Sequence, residues 1–161
     1  MKRLILVRHG KSSWKNNLPD DKRPLKKRGE KDGKLVANSF QKFITTSVTV
    51  WSSPAVRALE TAKIFKEILN IKDQDFHIKP PLYTFNSNEL LNNIQNCDRE
   101  IETLIVFGHN PAMTNLVNKL GDNYVENVPT TGLNVIDFET DSWENLKNGK
   151  TILSLFPKNL R

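Results

Sequence analysis

His9 stands between Arg8 and Gly10, directly after the apolar run Leu4-Ile5-Leu6-Val7. His109 follows a second such run, Thr103–Phe107, inside Gly108-His109-Asn110-Pro111. Arg57 comes shortly after a third, Ser47–Ser52, just past Ser53-Pro54. Arginine presents a planar fork of donors that matches phosphate oxygens and stays charged at all relevant pH. Two arginines beside an imidazole favour its neutral form, whose free lone pair can attack phosphorus. Gly10 would let the backbone turn sharply and a phosphate come close. His109, protonated or donating, would steady charge on the equatorial oxygens. The set is coherent for phosphoryl transfer at His9 without a metal or another cofactor.

Each member alone is weak. An Arg-His-Gly tripeptide arises by chance in about one or two per cent of chains this long. A lone histidine is more often a cap or a satisfied core residue, and a lone arginine is usually a surface residue. What raises the set above chance is its placement, so the elements that carry it matter.

Short apolar runs such as Leu4–Val7 suit central strands buried on both faces. Ser47–Ser52, Phe76–Lys79, Thr103–Phe107, Leu133–Phe138 and Thr151–Phe156 read as further strands. Between them lie helical periods: Leu35, Val36, Phe40, Phe43 and Ile44; then Ala58 to Leu69; then Asn88–Asn96; then a helix from Pro111 to Leu120-Gly121. Ser53 suits a helix cap and Pro54 a first turn. Alternating strands and helices without repeats or linkers indicate one α/β domain over residues 1–161 with a largely parallel sheet. Ligands of such sheets bind outside the carboxyl ends of the strands, where helix N-termini also favour anions. Arg8, His9, Arg57 and His109 all fall there.

Other classes fit less well. The net charge of +6 suits an anionic ligand. The basic run Lys22–Lys34 is interleaved with Glu30 and Asp32 and reads as a solvated helix face, so nucleic acid is not an expected partner. No apolar run approaches the roughly 20 residues that span a bilayer. The apolar start stops after four residues, too short for a signal h-region, and Cys97 is the only cysteine. A cytoplasmic protein with no membrane association is therefore expected. His9 and His109 lack a nearby third ligand at metal spacing, and His77, in a weak strand, has no expected role.

The blocks Leu6-Val7-Arg8-His9-Gly10-Lys11-Ser12-Ser13-Trp14, Asp20 through Arg23-Pro24-Leu25, Ser52-Ser53-Pro54-Ala55-Val56-Arg57-Ala58-Leu59-Glu60-Thr61-Ala62 and Val106-Phe107-Gly108-His109-Asn110-Pro111 occur in that order. They resemble the histidine phosphatase (phosphoglycerate mutase-like) superfamily, and within it the compact SixA-type phosphohistidine phosphatases. The resemblance spans nearly the whole chain, to the tail Phe156-Pro157-Lys158-Asn159-Leu160. It implies a three-layer α/β/α sandwich around a mixed, mostly parallel sheet. It also implies His9 as the nucleophile, with Arg8, Arg57 and His109 on the phosphoryl oxygens. Lys11, Ser12 and Asn16 are either further phosphate ligands or ordinary loop residues. Trp14 lines the pocket mouth or packs the loop, and Thr130-Thr131-Gly132 resembles a family segment before the late strand.

One departure bears on the substrate. Mutases and phosphoester phosphatases of the superfamily carry an acidic proton donor after the third strand. Here Pro80-Pro81-Leu82-Tyr83-Thr84-Phe85-Asn86-Ser87-Asn88 contains no carboxylate before Glu89. An alkoxide leaving group needs a proton donor, an effect of about 10²–10⁴ in rate. The imidazole of a phosphohistidine leaves more readily and can leave already protonated. The expected substrate is thus a phosphohistidine-bearing signalling or phosphotransfer protein, with an oxyanion site around His9. The alternatives are a phosphomonoesterase on small metabolites, using Asp20 or Glu89 as acid, and a non-catalytic phosphoprotein-binding module.

Overall fold

Leu4, Ile5, Leu6 and Val7 are at most 1% exposed, so the strand that carries them is buried on both faces. In the computed structural model, which describes residues 1–161, this is β1 (Lys2–Arg8). It pairs in parallel with β4 (Thr103–Gly108), equally buried, in a register that sets Arg8 opposite Gly108. β2 (Thr49–Ser52) and the edge strand β3 (Phe76–Ile78) extend the sheet beyond β4. On the other side come β5 (Leu133–Phe138), antiparallel to β1, and β6 (Lys150–Leu155), antiparallel to β5. The order is β3-β2-β4-β1-β5-β6, and only β5 runs against the rest.

Side chains alternate across a strand, so β1 supplies two cores. Leu4 and Leu6 join Leu104 and Val106 against α3 (Ser87–Ile94) and α4 (Ala112–Leu120). Ile5 and Val7 join Ile105 and Phe107 against α1 (Lys27–Gln41) and α2 (Val56–Ile68), where Phe40 and Phe65 are fully buried. A short α5 (Pro157–Leu160) leans on α1. The result is the expected three-layer α/β/α sandwich on a mixed, mostly parallel sheet.

Local expectations shifted where tertiary packing took over. α1 stops at Gln41, and Phe43 and Ile44 pack beyond its end. Ser53 does not cap α2: Ala55 occupies that position, and the Ser53 hydroxyl turns toward His109. The lysine-rich face is not wholly solvated, because Asp32 is buried and takes two hydrogen bonds from Arg161. No helix is long and apolar enough to cross a membrane.

Candidate active site

The ladder between β1 and β4 brings the two histidines together. His9 N–H continues it by donating to the Gly108 carbonyl at 3.0 Å, and the rings lie 5.2 Å apart. Thr131, with φ 61°, donates its N–H to the Arg8 and His9 carbonyls and pins the strand end from the β5 side. Thr61 of α2 ties in the third segment: its hydroxyl accepts from Gly10 N–H at 2.9 Å and donates to the Arg57 carbonyl at 2.7 Å. The four residues expected to carry chemistry therefore meet, and all four line one cavity of about 300 Å³. Gly10 serves this by close approach rather than by a sharp turn. No glycine has positive φ, but a Cβ on Gly10 would lie 3.3 Å from the Gly29 backbone and 3.1 Å from Leu25.

The imidazole of His9 is asymmetric. Nδ1–H donates to the Gly10 carbonyl at 2.8 Å, so Nε2 keeps its lone pair and accepts from Arg57 Nε–H at 3.3 Å. Burial, and then the charges of Arg57, Arg8 and Arg23, push its pKa down to about 4, against the opposing pull of the Gly10 bond. His9 is neutral at pH 7. His109 is pushed down to about 3, chiefly by burial and then by His9 and Arg57. It too is neutral, so any bond it donates comes from a neutral ring rather than an imidazolium.

Arg57 is 2% exposed, and its guanidinium is held by Asp20, through the carbonyl at 2.6 Å and the carboxylate at 2.9 Å. Tyr83 donates to the same carboxylate. That bond, followed by the Arg57 and Arg23 charges, draws Asp20 down to about 2. Asp20 thus lines the cavity as a carboxylate and not as a loaded proton donor in the empty pocket. Glu89, the other candidate donor, lies outside the cavity in the first turn of α3, where it accepts from Thr84. Asn16 is also outside, in an exposed 3-10 turn at Lys15–Asn17. Lys11 and Ser12 are inside.

Arg23, which lies outside the expected set of site residues, is buried in the cavity wall. It donates to Ser12 Oγ at 2.7 Å and sits 3.7 Å over the Trp14 ring. Its only sequence signal was membership of the Asp20–Leu25 block. Phe85, Asn110 and Thr130 complete the lining, and the edges of Tyr83 and Phe85 meet the His109 ring at 5.3 and 5.6 Å. Cys97 is free and buried, and burial pushes its thiol up to about 12, which disfavours the reactive thiolate.

Three comparisons bear on this geometry. Residues 4–82, about half of the chain and the part carrying Arg8, His9 and Arg57, match the model of the histidine phosphatase superfamily (branch 1). An uncharacterized chloroplastic protein of Arabidopsis thaliana is 29% identical over 152 residues, which cover 89% of this chain and 69% of that one. Among solved structures, the protein histidine phosphatase SixA complexed with tungstate superposes with a TM-score of 0.83 at 22% identity over 99% of both chains. A SixA-type protein from Agrobacterium tumefaciens gives 0.81 at 24% identity, covering 97% of this chain and 98% of its own. A mycobacterial glucosyl-3-phosphoglycerate phosphatase, with VO3, gives 0.65 at 12% identity, covering 95% and 98%.

The chain belongs to the histidine phosphatase superfamily. Within it, the fold is that of the SixA type.

Proposed function

We propose that the chain is a phosphatase that takes a phosphoryl group onto Nε2 of His9, and that its substrate is a phosphohistidine on a protein. One observation carries the reading: a neutral, buried imidazole with Nδ1–H committed to Gly10 and its Nε2 lone pair in a cavity walled by Arg8, Arg23 and Arg57. Arginine charge on the phosphoryl oxygens supplies what a metal would otherwise supply.

In the first step Nε2 of His9 attacks phosphorus, and the P–N bond of the substrate breaks. Its electron pair goes to the leaving imidazole, which departs neutral because its other nitrogen already holds a proton. Water then attacks phospho-His9, the Nε2–P bond breaks, and both protons of the water leave on inorganic phosphate. Throughout, the Gly10 carbonyl holds the Nδ1 proton, so His9 also departs as a neutral ring. Neither step needs a protonated carboxylate, which agrees with an ionised Asp20 and a distant Glu89.

Surroundings of the pocket favour a protein substrate. A second cavity of about 490 Å³ shares Lys11 and Thr130 with the first and carries Arg28, Lys158 and Arg161. Trp14 and Phe85 stand at the rim, 74% and 49% exposed. A basic, aromatic-edged mouth suits an acidic protein face around a phosphohistidine. The cytoplasm is the proposed site of action, in keeping with a lone free cysteine.

The test is to incubate the protein with a phosphohistidine protein, quench in alkali, and look for a phosphoryl group on His9. Wild type should become labelled and release phosphate. His9→Ala should do neither, and a His9→Ala variant with full turnover would overturn the reading. Asp20 does lie within the cavity, which favours small phosphomonoesters as a second reading. A preference for alkyl phosphates, lost in Asp20→Asn, would establish it.

A further inference from the structure

Ser53 is fully buried at the end of β2, and its hydroxyl lies 2.8 Å from Nε2 of His109. The same oxygen accepts the Ala55 N–H at 3.2 Å. On the other side of the ring, Nδ1 of His109 is buried and has no partner in the protein, although His109 lines the cavity. A neutral imidazole has one donor and one acceptor nitrogen, so the ring can be placed in two ways.

If Nε2 carried the proton, Ser53 would accept twice and its own hydroxyl proton would have no acceptor in a site closed to water. Nδ1 would then be a bare lone pair, which repels an oxyanion. If instead Ser53 donates to Nε2, its hydroxyl is fully used: it gives one bond to His109 and takes one from Ala55. Only Nδ1–H is then unmatched, a donor on a ring that lines the cavity proposed to hold the phosphoryl group. Buried polar groups are almost always satisfied, so the second arrangement is favoured, with the substrate as the missing acceptor.

We propose that Ser53 is a positioning residue that fixes the tautomer of His109, so that Nδ1–H is presented to a phosphoryl oxygen. The two imidazoles then hold the same Nδ1–H tautomer but offer different nitrogens to the ligand. A carbonyl keeps the proton on Nδ1 of His9 and frees Nε2 to attack. A hydroxyl keeps the proton off Nε2 of His109 and leaves Nδ1–H to bind. Two chemically identical side chains 5.2 Å apart are thereby assigned nucleophile and donor by their outer partners. The inference rests on the phosphoryl-binding reading of the pocket.

The experiment needs no turnover. Nitrogen NMR on labelled wild-type protein reads which ring nitrogen of His109 holds the proton, with inorganic tungstate titrated as the oxyanion probe. Expected are a protonated Nδ1 and a bare Nε2, with the Nδ1 signal moving on tungstate binding. Ser53→Ala should give mixed tautomers and weaken tungstate about tenfold, a fraction of the effect of deleting an oxyanion donor outright. A wild-type ring protonated on Nε2 would overturn the proposal, as would a folded Ser53→Ala with unchanged tautomer and tungstate affinity. Because no substrate is consumed, failure here is separable from failure of the phosphatase reading.

Discussion

Arg57 donates its Nε–H to Nε2 of His9 across 3.3 Å, covering the lone pair proposed to attack phosphorus. The guanidinium cannot be exchanged for an ammonium at this point. It reaches His9 with one nitrogen while two others hold the Asp20 carbonyl and carboxylate. Entry of an oxyanion has to break the Arg57–His9 contact and draw the guanidinium onto the incoming oxygens. That places Arg57 and Asp20 at the balance between the empty and occupied site.

pH should act through the histidines with a definite sign. Both are held below their ordinary range, His9 at about 4 and His109 at about 3. The neutral forms are the ones proposed to work, so on the acid side kcat/KM should show no enzyme imidazole limb near pH 6.5 and should fall only as pH approaches 4. Any alkaline loss belongs to the substrate ring, whose second nitrogen must hold a proton. Stability follows the same direction. The unfolded chain binds protons on these rings below about pH 6.5 while the folded one resists, so stability is lost as pH falls from there toward 4. Rate profiles and thermal melts between pH 4 and 8 check both, and an acid-side rate limb at pH 6.5 would contradict the assignment.

Asp20→Asn removes a carboxylate that competes with an incoming dianion for Arg57. Its side chain is 45% exposed, so the effect is modest. Tungstate should bind about two- to fivefold more tightly, the size of a partly screened ion pair of roughly 0.2–1 kcal/mol. Calorimetric titration of both proteins measures it, and weaker binding would mean that Asp20 mainly preorganises Arg57.

Gly29→Ala should damage the pocket from behind. A Cβ there would sit 2.5 Å from the Lys11 carbonyl oxygen and 3.1 Å from its N–H nitrogen. Backbone cannot yield as a flexible side chain can, so the Lys11–Ser12 loop must move. A loss of about 1–3 kcal/mol is expected, as for other overpacked sites, together with weaker tungstate binding. Chemical denaturation and titration would show the two losses together.

Charge reversal in the second cavity separates protein from small substrates. Arg28→Glu with Lys158→Glu should raise KM for an acidic phosphohistidine protein about tenfold or more and steepen no other parameter. Turnover of a small phosphoramidate should stay within about twofold, since neither residue lines the His9 cavity. Steady-state kinetics at two salt concentrations test it, and equal effects on both substrates would count against protein docking at this face.

The layout of this protein was legible in its sequence because it depends on local burial. Leu4–Val7 and Thr103–Phe107 are almost wholly apolar without alternation, which suits a strand covered on both faces, and each is followed within two residues by a histidine. That pattern by itself puts Arg8, His9 and His109 at one edge of the sheet. Arg57 followed from the same logic at the end of Ser47–Ser52.

Tertiary structure alone decided what those groups do to one another. Whether Asp20 is an acid or a carboxylate depends on Tyr83 and Arg57, which reach it from distant parts of the chain. Asn16 and Glu89 look as available in sequence as Lys11 and Ser12, yet a 3-10 turn and the first turn of α3 hold them outside the cavity, while Arg23 is folded in. The histidine tautomers rest on a carbonyl one residue away for His9 and on a hydroxyl 56 positions away for His109. Residue periodicity encodes which positions are buried. It does not encode which atom a buried ring will face, because that is set by contacts formed only when separate strand ends and loops close on each other.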